Sequence, residues 1–302
     1  MSTVLALIKR NVKLFFKDKG MFFTSLITPA ILLVLYATFL GNVYRDSFMM
    51  NLPARIELPE KLIDGLVGGQ LISSILAVSC VTVSFCSNFL MVQDKANGSI
   101  KDLRISPVKP WALSISYYIA TLASTLIICF AAAVICLAYV WAVGWYMSAI
   151  DVVLIMCDVL LLTLFGTALS SVINFFLSTQ GQISAVGTMI SSCYGFVCGA
   201  YMPISSFSEG LRNVIMFLPG TYGTSLVRNH AMRGAIAELE SYGVADEAVK
   251  GLMDAMDCNL YFFENAVDTS VMYAVLGGTV ALLIAVYVLM NMGKSRIGSS
   301  NN

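Results

Sequence analysis

The chain has 302 residues, of which 58% are hydrophobic and only 12% are charged, and its mean hydropathy is +0.81. A soluble domain carries about 25% charged residues, so most of this surface must face lipid, which excludes a soluble enzyme, a disordered chain and a secreted disulfide-rich module. The 18 basic and 18 acidic residues balance. The sequence therefore predicts a lipid bilayer, and no nucleic acid, among its partners.

Charge-free stretches mark the candidate membrane spans, since a spanning helix needs about 20 apolar residues. We find room for six, with a polar break at residues 178–182 between the fourth and the fifth. The predicted fold is an all-α polytopic membrane protein that forms one domain over residues 1–302. Its six transmembrane helices are expected at residues 21–41, 66–92, 112–140, 151–177, 183–203 and 269–292.

The charges of the connecting segments predict the orientation. The segment before the first span, the loop after the second span and the C-terminal tail together hold 11 of the 18 basic residues and only three acidic ones. Residues 42–64 and 203–268 together hold seven basic and 13 acidic residues. The positive-inside rule then places both termini in the cytoplasm, and six spans agree with that parity.

Residues 4–19 precede the first span, and their pattern predicts an amphipathic helix. Apolar residues recur at helical spacing from Leu5 to Phe16, while Lys9, Lys13 and Lys17 stand four apart. Such a helix suits the cytoplasmic interface of a bilayer, with its lysines reaching the headgroups. The alternative is a positively charged flank without a mechanical role, and periodicity alone does not separate the two.

A second short helix is predicted at residues 99–106, in the loop after the second span. An Asn-Gly turn precedes it, Ser99 and Asp102 have the spacing of a capping box, and Pro107 follows it. Its expected exposed side chains, Ile100, Leu103 and Arg104, would let a soluble partner push on the membrane helices. The alternative is an ordinary capped loop.

Small and polar residues line one face of two predicted spans. In the fifth span, residues 187, 191, 195 and 199 stand four apart and are all Gly or Ser, with Ser184 and Thr188 beside them. In the second span, Ser73, Ser84 and Asn88 lie on one side. Such faces favour close helix packing within the chain, contact with another subunit, or the wall of a transport path.

The segment before the last span, residues 204–268, predicts re-entrant helices and an acidic cap on the outer side. An aspartate deep in a bilayer costs about 2.5–3.5 kcal/mol, so Asp158 in the fourth span should be paired or functional. Eight cysteines without a C-x-x-C pattern and a single histidine, His230, predict neither a metal site nor a catalytic residue.

Four segments in chain order resemble the permease subunit of type-2 (ABC-2, or type V) ATP-binding-cassette exporters, of the drug-export kind. They are Lys-Leu-Phe-Phe-Lys-Asp-Lys at 13–19, a first span with Pro29 that ends near Gly41, Gln-Asp-Lys at 93–95 with Ser-Pro-Val-Lys at 106–109, and Leu-Pro-Gly-Thr-Tyr at 218–222. Asp94 stands where many members carry Glu, which preserves the charge.

The resemblance implies roles for the segments and their residues. Residues 4–19 would form the elbow helix and residues 99–106 the coupling helix, which docks on a separate ATPase subunit. The implied coupling residues are Asp94, Ser99, Ile100, Asp102, Leu103 and Arg104. A path between two permeases would be lined by Phe39, Ser73, Ser84, Asn88, Ser184, Thr188 and Ser191. Helix packing or subunit contact would involve Gly187, Gly195 and Gly199.

The resemblance also implies the function and its partners. The chain lacks a G-x-x-x-x-G-K-[ST] motif, so no cofactor is expected in it, and ATP and magnesium are expected in the partner ATPase. A second permease, identical or homologous, completes the exporter in the plasma membrane. The expected cargo is an amphipathic small molecule, drug or antimicrobial peptide. The alternatives are a glycan or lipid-linked polymer exporter, and an ion-coupled secondary transporter that uses Asp158.

Overall fold

A computed structural model describes residues 2–51, 58–105, 108–263 and 265–299, and helices dominate it. The first half holds α1 (Ser2–Lys17), α2 (Lys19–Leu35), a π-helical turn (Tyr36–Leu40), α3 (Gly41–Asn51), α4 (Glu60–Ala96), α5 (Ser99–Ile105) and α6 (Pro110–Val143). The second half holds α7 (Ala149–Phe176), α8 (Gln180–Val197), a 3-10 turn (Ile204–Ser206), α9 (Glu209–Ile215), α10 (Pro219–Ser241), α11 (Asp246–Ala255), β1 (Leu260–Phe262), β2 (Asn265–Val267) and α12 (Thr269–Ser299).

The structure confirms a helical, multi-pass membrane protein. Within the described residues, five helices are long and apolar enough to cross a bilayer: Lys19–Asp46, Glu60–Ala96, Trp111–Val143, Ala149–Phe176 and Thr269–Asn291. The predicted fifth span forms α8, which has only 18 residues and begins with Gln-Gly-Gln, so it is not among the five. The count of six therefore stays a prediction. The outer segment also contains the antiparallel hairpin β1–β2, which the all-α expectation did not include.

The long helix α4 is the centre of the fold. In the most apolar stretch of α4, 94% of the residues are buried. The buried share of the corresponding stretch is 25% in the span that contains α2 and 22% in α12. It packs against α2, α6, α7, α8 and α10. Because neighbours cover it on all sides, its serines, threonines and Asn88 lie inside the protein and not against lipid.

The first helix and the first span are separate elements that meet at a sharp junction. Helix α1 ends at Lys17, and the Asp18 side chain accepts a hydrogen bond from the backbone N–H of Met21 (3.1 Å), which caps the start of α2. Helix α1 then packs along α6. The helix predicted at residues 4–19 thus forms as α1, which buries the face that carries Leu7, Asn11 and Phe15. Its role as an elbow stays a prediction.

Helix α10 lies buried among α4, α7 and α12. Its first turns reach well into the bundle, since Gly223 packs against Leu162 of α7 and Leu276 of α12. Before it, α9 and the following turn leave apolar side chains exposed, among them Leu211 (46%), Val214 (60%) and Phe217 (63%). Exposed apolar side chains beside a sheltered polar helix are compatible with the re-entrant segment predicted here, which stays a prediction.

Candidate functional site

The short helix predicted after the second span is present as α5 and packs against α4. A turn at Gly98, whose φ of +81° suits glycine, reverses the chain between α4 and α5. Helix α5 starts at Ser99 itself, so Ser99 is not the residue before the helix. Among the described residues, no backbone N–H donates a capping hydrogen bond to its side chain. The capping box predicted for Ser99 and Asp102 is therefore wrong, although the helix forms.

The outward face of α5 differs from the predicted one. Ile100 is buried, with 8% of its surface exposed, and Leu103 packs partly against the core. The expectation that both are exposed is wrong, because the turn at Gly98 rotates this face of α5 toward α4. Asp102 and Lys101 are exposed, and Ile105 is 85% exposed. The side chain of Arg104 lies outside the described part of the structure.

Asp94, in the last turn of α4 just before α5, joins α4 to two other helices. Its carboxylate is buried and accepts hydrogen bonds from Arg10 of α1 (2.9 Å) and from the Tyr117 hydroxyl of α6 (2.5 Å). Burial lowers the pKa of Arg10, but the hydrogen bond and the charge of Asp94 outweigh it, so the Arg10 pKa lies above its ordinary value. Sequence reasoning selected Asp94 but neither partner, since no local pattern connects residues 84 positions apart.

Lys95, the next residue, joins the same end of α4 to α7. Its ammonium donates to the backbone carbonyls of Asn174 (2.9 Å), Phe175 (2.9 Å) and Leu177 (3.0 Å). These carbonyls end α7, where a cation is favoured by the helix dipole and by carbonyls that lack helical partners. Asp94 and Lys95 together therefore tie the C-terminal end of α4 to α1, α6 and α7. Helix α5 follows this end directly and packs against α4.

Three residues predicted to line a path are instead buried between helices of one chain. The Ser84 Oγ atom lies 3.4 Å from the Thr167 Oγ1 atom of α7. The Asn88 amide nitrogen donates hydrogen bonds to the hydroxyl oxygens of Ser170 (3.1 Å) and Ser171 (3.0 Å). Ser73 accepts from Arg228 of α10 (3.3 Å). Sequence reasoning left open a channel wall or a packed interface for this face of α4, and the structure places it in a packed interface.

The other predicted path residues are accessible from outside the chain. Ser184 and Thr188 are exposed on α8, and Ser191 is half-buried on the same helix. Phe39 is 63% exposed on the π-helical turn. Two surfaces therefore remain as candidates for a path or a subunit contact: the outer face of α2 with its π turn, and the polar face of α8.

The glycines of α8 serve contacts within the chain. Gly187 packs on the ring of Phe89, and Gly195 lies directly against the ring of Tyr201. Gly199 has a φ of +70° and ends the helix as its C-terminal turn unwinds. Of the two alternatives for this stripe of small residues, the structure supports internal packing for Gly195 and Gly199, both of which are buried.

Arg228 forms a buried polar centre below the outer cap. It is 1% exposed and donates to Gly199 O (2.9 Å), Met256 O (2.7 Å), Ser73 Oγ (3.3 Å) and Asp257 (3.4 Å). Burial raises the pKa of the Asp257 carboxyl, although the charge of Arg228 acts in the opposite direction. Sequence reasoning missed this centre, and the one available signal was an arginine inside an apolar re-entrant segment.

Asp158, the deep carboxylate of α7, is fully engaged. It is 1% exposed and contacts His230 Nδ1 of α10 at 2.6 Å, while the Tyr273 hydroxyl of α12 donates to its second oxygen at 2.5 Å. Three helices thus meet at one carboxylate. The sequence predicts that Asp158 is either paired or functional, and the structure shows it paired with His230 and Tyr273. These two contacts offset the cost of burying the carboxylate.

Comparison with known families agrees with this geometry. The family model described as ABC-2 type transporter matches residues 2–231, which is more than half of the chain and includes helices α1 to α9 with the first part of α10. The match therefore contains the anchored α5 and both candidate surfaces. A comparison with curated proteins finds no match.

Proposed function

The chain belongs to the ABC-2 type transporter family, as the permease subunit of an ABC transporter, and we propose that it exports an amphipathic cargo from the cytoplasm using ATP hydrolysed by a separate subunit. Permeases of this family work with an ATPase subunit. In the proposed assembly α5 docks on that ATPase, which binds ATP and magnesium, and the complex lies in the plasma membrane with both termini of the permease in the cytoplasm.

The observation that carries the coupling step is the pair of anchors at the C-terminal end of α4, directly before α5. Asp94 binds Arg10 and Tyr117, and Lys95 binds the C-terminal end of α7. We therefore expect a displacement of α5 by the ATPase to pass into the end of α4 and from there to α1, α6 and α7. The exposed contact on α5 is Ile105, which we expect to enter an apolar groove of the ATPase.

A second copy of the permease is supported by the surface of α8. Ser184, Thr188 and Ser192 are exposed on this helix. Polar side chains on a lipid-facing helix are unfavourable, whereas Ser and Thr stabilise helix contacts inside a membrane. We therefore place the second permease against α8 and the exposed face of α2, with the transport path between the two copies.

The chemistry of those two surfaces supports the proposed cargo class. They combine apolar side chains such as Phe39 with the hydroxyl groups of Ser184 and Thr188, which suits an amphipathic small molecule, drug or peptide. A glycan cargo remains the nearest alternative. Transport assays in vesicles with a lipophilic cation and with a lipid-linked oligosaccharide distinguish the two, because only the matching cargo should stimulate ATP hydrolysis.

An ion-coupled mechanism through Asp158 is the alternative from another class. The contacts with His230 and Tyr273 account for this carboxylate as a structural junction of α7, α10 and α12. Asp158→Asn keeps the shape and one acceptor. Under our proposal, export by this variant still requires ATP, and an imposed proton or sodium gradient does not drive export in the wild type. Gradient-driven uptake or export that is lost in Asp158→Asn would refute the ATP-driven mechanism.

The decisive test is co-purification with the ATPase and its dependence on α5. The tagged chain should bring down a stoichiometric subunit with a Walker motif, and the complex should hydrolyse ATP. Ile105→Asp should abolish co-purification while the permease still inserts and purifies. Ser178→Asp, at an exposed position in the loop between α7 and α8, controls for the added charge. An unchanged complex with Ile105→Asp would show that α5 is not the docking element.

A further inference from the structure

An apolar groove opens on the side of the molecule between α2 and α6. It has a volume of about 540 Å³, within the range of roughly 300–1,000 Å³ that is typical of small-ligand sites. Its floor is Ile75 of α4, and its walls are almost entirely hydrocarbon. Because α2 and α6 both span the bilayer, the groove faces the acyl chains of the lipid.

Small side chains create the groove. Pro29 and Ala30 form part of its α2 wall, and Ala131 and Ala132 form part of its α6 wall. Larger neighbours on the same helices, Ile127 and Ile135, line it while remaining more than half exposed. Pro29 cannot donate the helical hydrogen bond to Ser25 and bends a helix at this point. The two walls thus leave a slot that is open to lipid along its length.

Two lysines are next to one end of the groove in the sequence. Phe16 of α1 and Phe22 of α2 line that end, and Lys17 and Lys19 lie between them in the chain. Both lysines are exposed, and neither forms an ion pair within the described part of the chain. The intervening Asp18 is occupied in capping α2. This end lies at the α1 side of the membrane, where the sequence predicts the cytoplasmic headgroups.

We propose that this groove binds one anionic phospholipid of the cytoplasmic leaflet, with an acyl chain in the slot between α2 and α6 and the headgroup at Lys17 and Lys19. The almost exclusively apolar walls match a hydrocarbon chain and offer no partner for a polar cargo. The two lysines select a negative headgroup. This lipid would touch α1, α2, α4 and α6 at once, and the proposal does not depend on which cargo the protein exports.

The test measures lipid retained by the purified full-length chain after incorporation into vesicles of mixed phosphatidylglycerol and phosphatidylcholine. Native mass spectrometry should find phosphatidylglycerol retained in preference to phosphatidylcholine. Each lysine near an anionic headgroup contributes about a fivefold change in affinity. The double change Lys17→Gln with Lys19→Gln should therefore lower the preference by at least about tenfold, whereas Lys250→Gln on the outer α11 should leave it unchanged.

A second set of variants tests the position of the acyl chain. Ala131→Trp fills the slot and should abolish retention of both lipids, while Ala138→Trp, two turns along the same exposed face of α6 and outside the groove, should not. If Ala131→Trp destabilises the chain, Ala30→Phe fills the slot from the opposite wall. Equal retention of the two lipids by the wild type, or retention unaffected by both filling variants, overturns the proposal. Loss of a permease dimer in Ala131→Trp also overturns the proposal, because it would show that a second copy of the chain, and not a lipid, occupies the groove.

Discussion

Replacing Asp94 by Asn should release α1 from the bundle before anything else unfolds. The carboxylate joins α4 to Arg10 of α1 and Tyr117 of α6. Asn keeps an oxygen that accepts from Tyr117 but removes the charge that holds Arg10. The neighbouring anchor at Lys95 uses backbone carbonyls of α7 and does not change. The effect should therefore be local to the contact between α1 and the membrane spans.

The size of the effect follows from the exposure of the pair. Hydrogen bonds to charged groups contribute about 1.5–3 kcal/mol each. The Arg10 side chain is 33% exposed and that of Asp94 is 10% exposed, so water screens part of the interaction and places it at the lower end. A loss of about 1–2 kcal/mol in the docking of α1 corresponds to a factor of about 5–30 in its opening equilibrium.

Amide hydrogen exchange of the purified chain measures this directly. The amides of Ser2–Lys17 should exchange about 5–30 times faster in Asp94→Asn, with α7 and α10 unchanged. Asp102→Asn, an exposed carboxylate on α5, is the matched control and should have no effect. Arg10→Gln combined with Asp94→Asn should cost less than the sum of the single changes. Unchanged exchange in α1, or acceleration spread evenly over all helices, would refute Asp94 as the anchor of α1.

Three further predictions concern the outer centre. Arg228→Met leaves Asp257 buried without its ion-pair partner, so it should destabilise the protein by about 3–5 kcal/mol and lower the thermal midpoint in detergent. Arg212→Met, at an exposed position, should not. The pKa of Asp257 in the folded protein is raised above its value of about 3.9 in the unfolded chain. Protonated Asp257 therefore stabilises the fold below about pH 3.9, and this stabilisation is lost as the pH rises through the folded pKa. Asp257→Asn should remove this part of the pH dependence, and an unaltered stability–pH profile would contradict it. Burial raises the pKa of Cys258 to about 12, so at pH 8 its thiolate is on the order of a thousandfold scarcer than that of an ordinary cysteine. A membrane-impermeant maleimide should label a cysteine introduced at exposed Ser205 but not Cys258, and rapid labelling of Cys258 would show that the cap opens.

The sequence by itself determined the class of the protein, because that information is local. The length of a charge-free stretch decides whether a helix can cross a bilayer, and five of the six predicted spans are helices of sufficient length and apolarity. The basic flank at residues 4–19, the turn at Gly98 and the short helix after it also follow from neighbouring residues. Together they were enough to indicate the ABC-2 family, which the family match confirms.

Only the tertiary structure decided which way each side chain faces. Ser73, Ser84 and Asn88 share a helical face, but whether that face lines a path or a packed interface depends on α7 and α10 covering it. Ile100 is buried and Ile105 exposed because of how the turn at Gly98 sets α5 against α4. The partners of Asp94, Asp158 and Arg228 are all distant in the chain. Which surface a side chain faces and which residue it pairs with depend on neighbours that folding brings together. The residue pattern along one helix does not predict them.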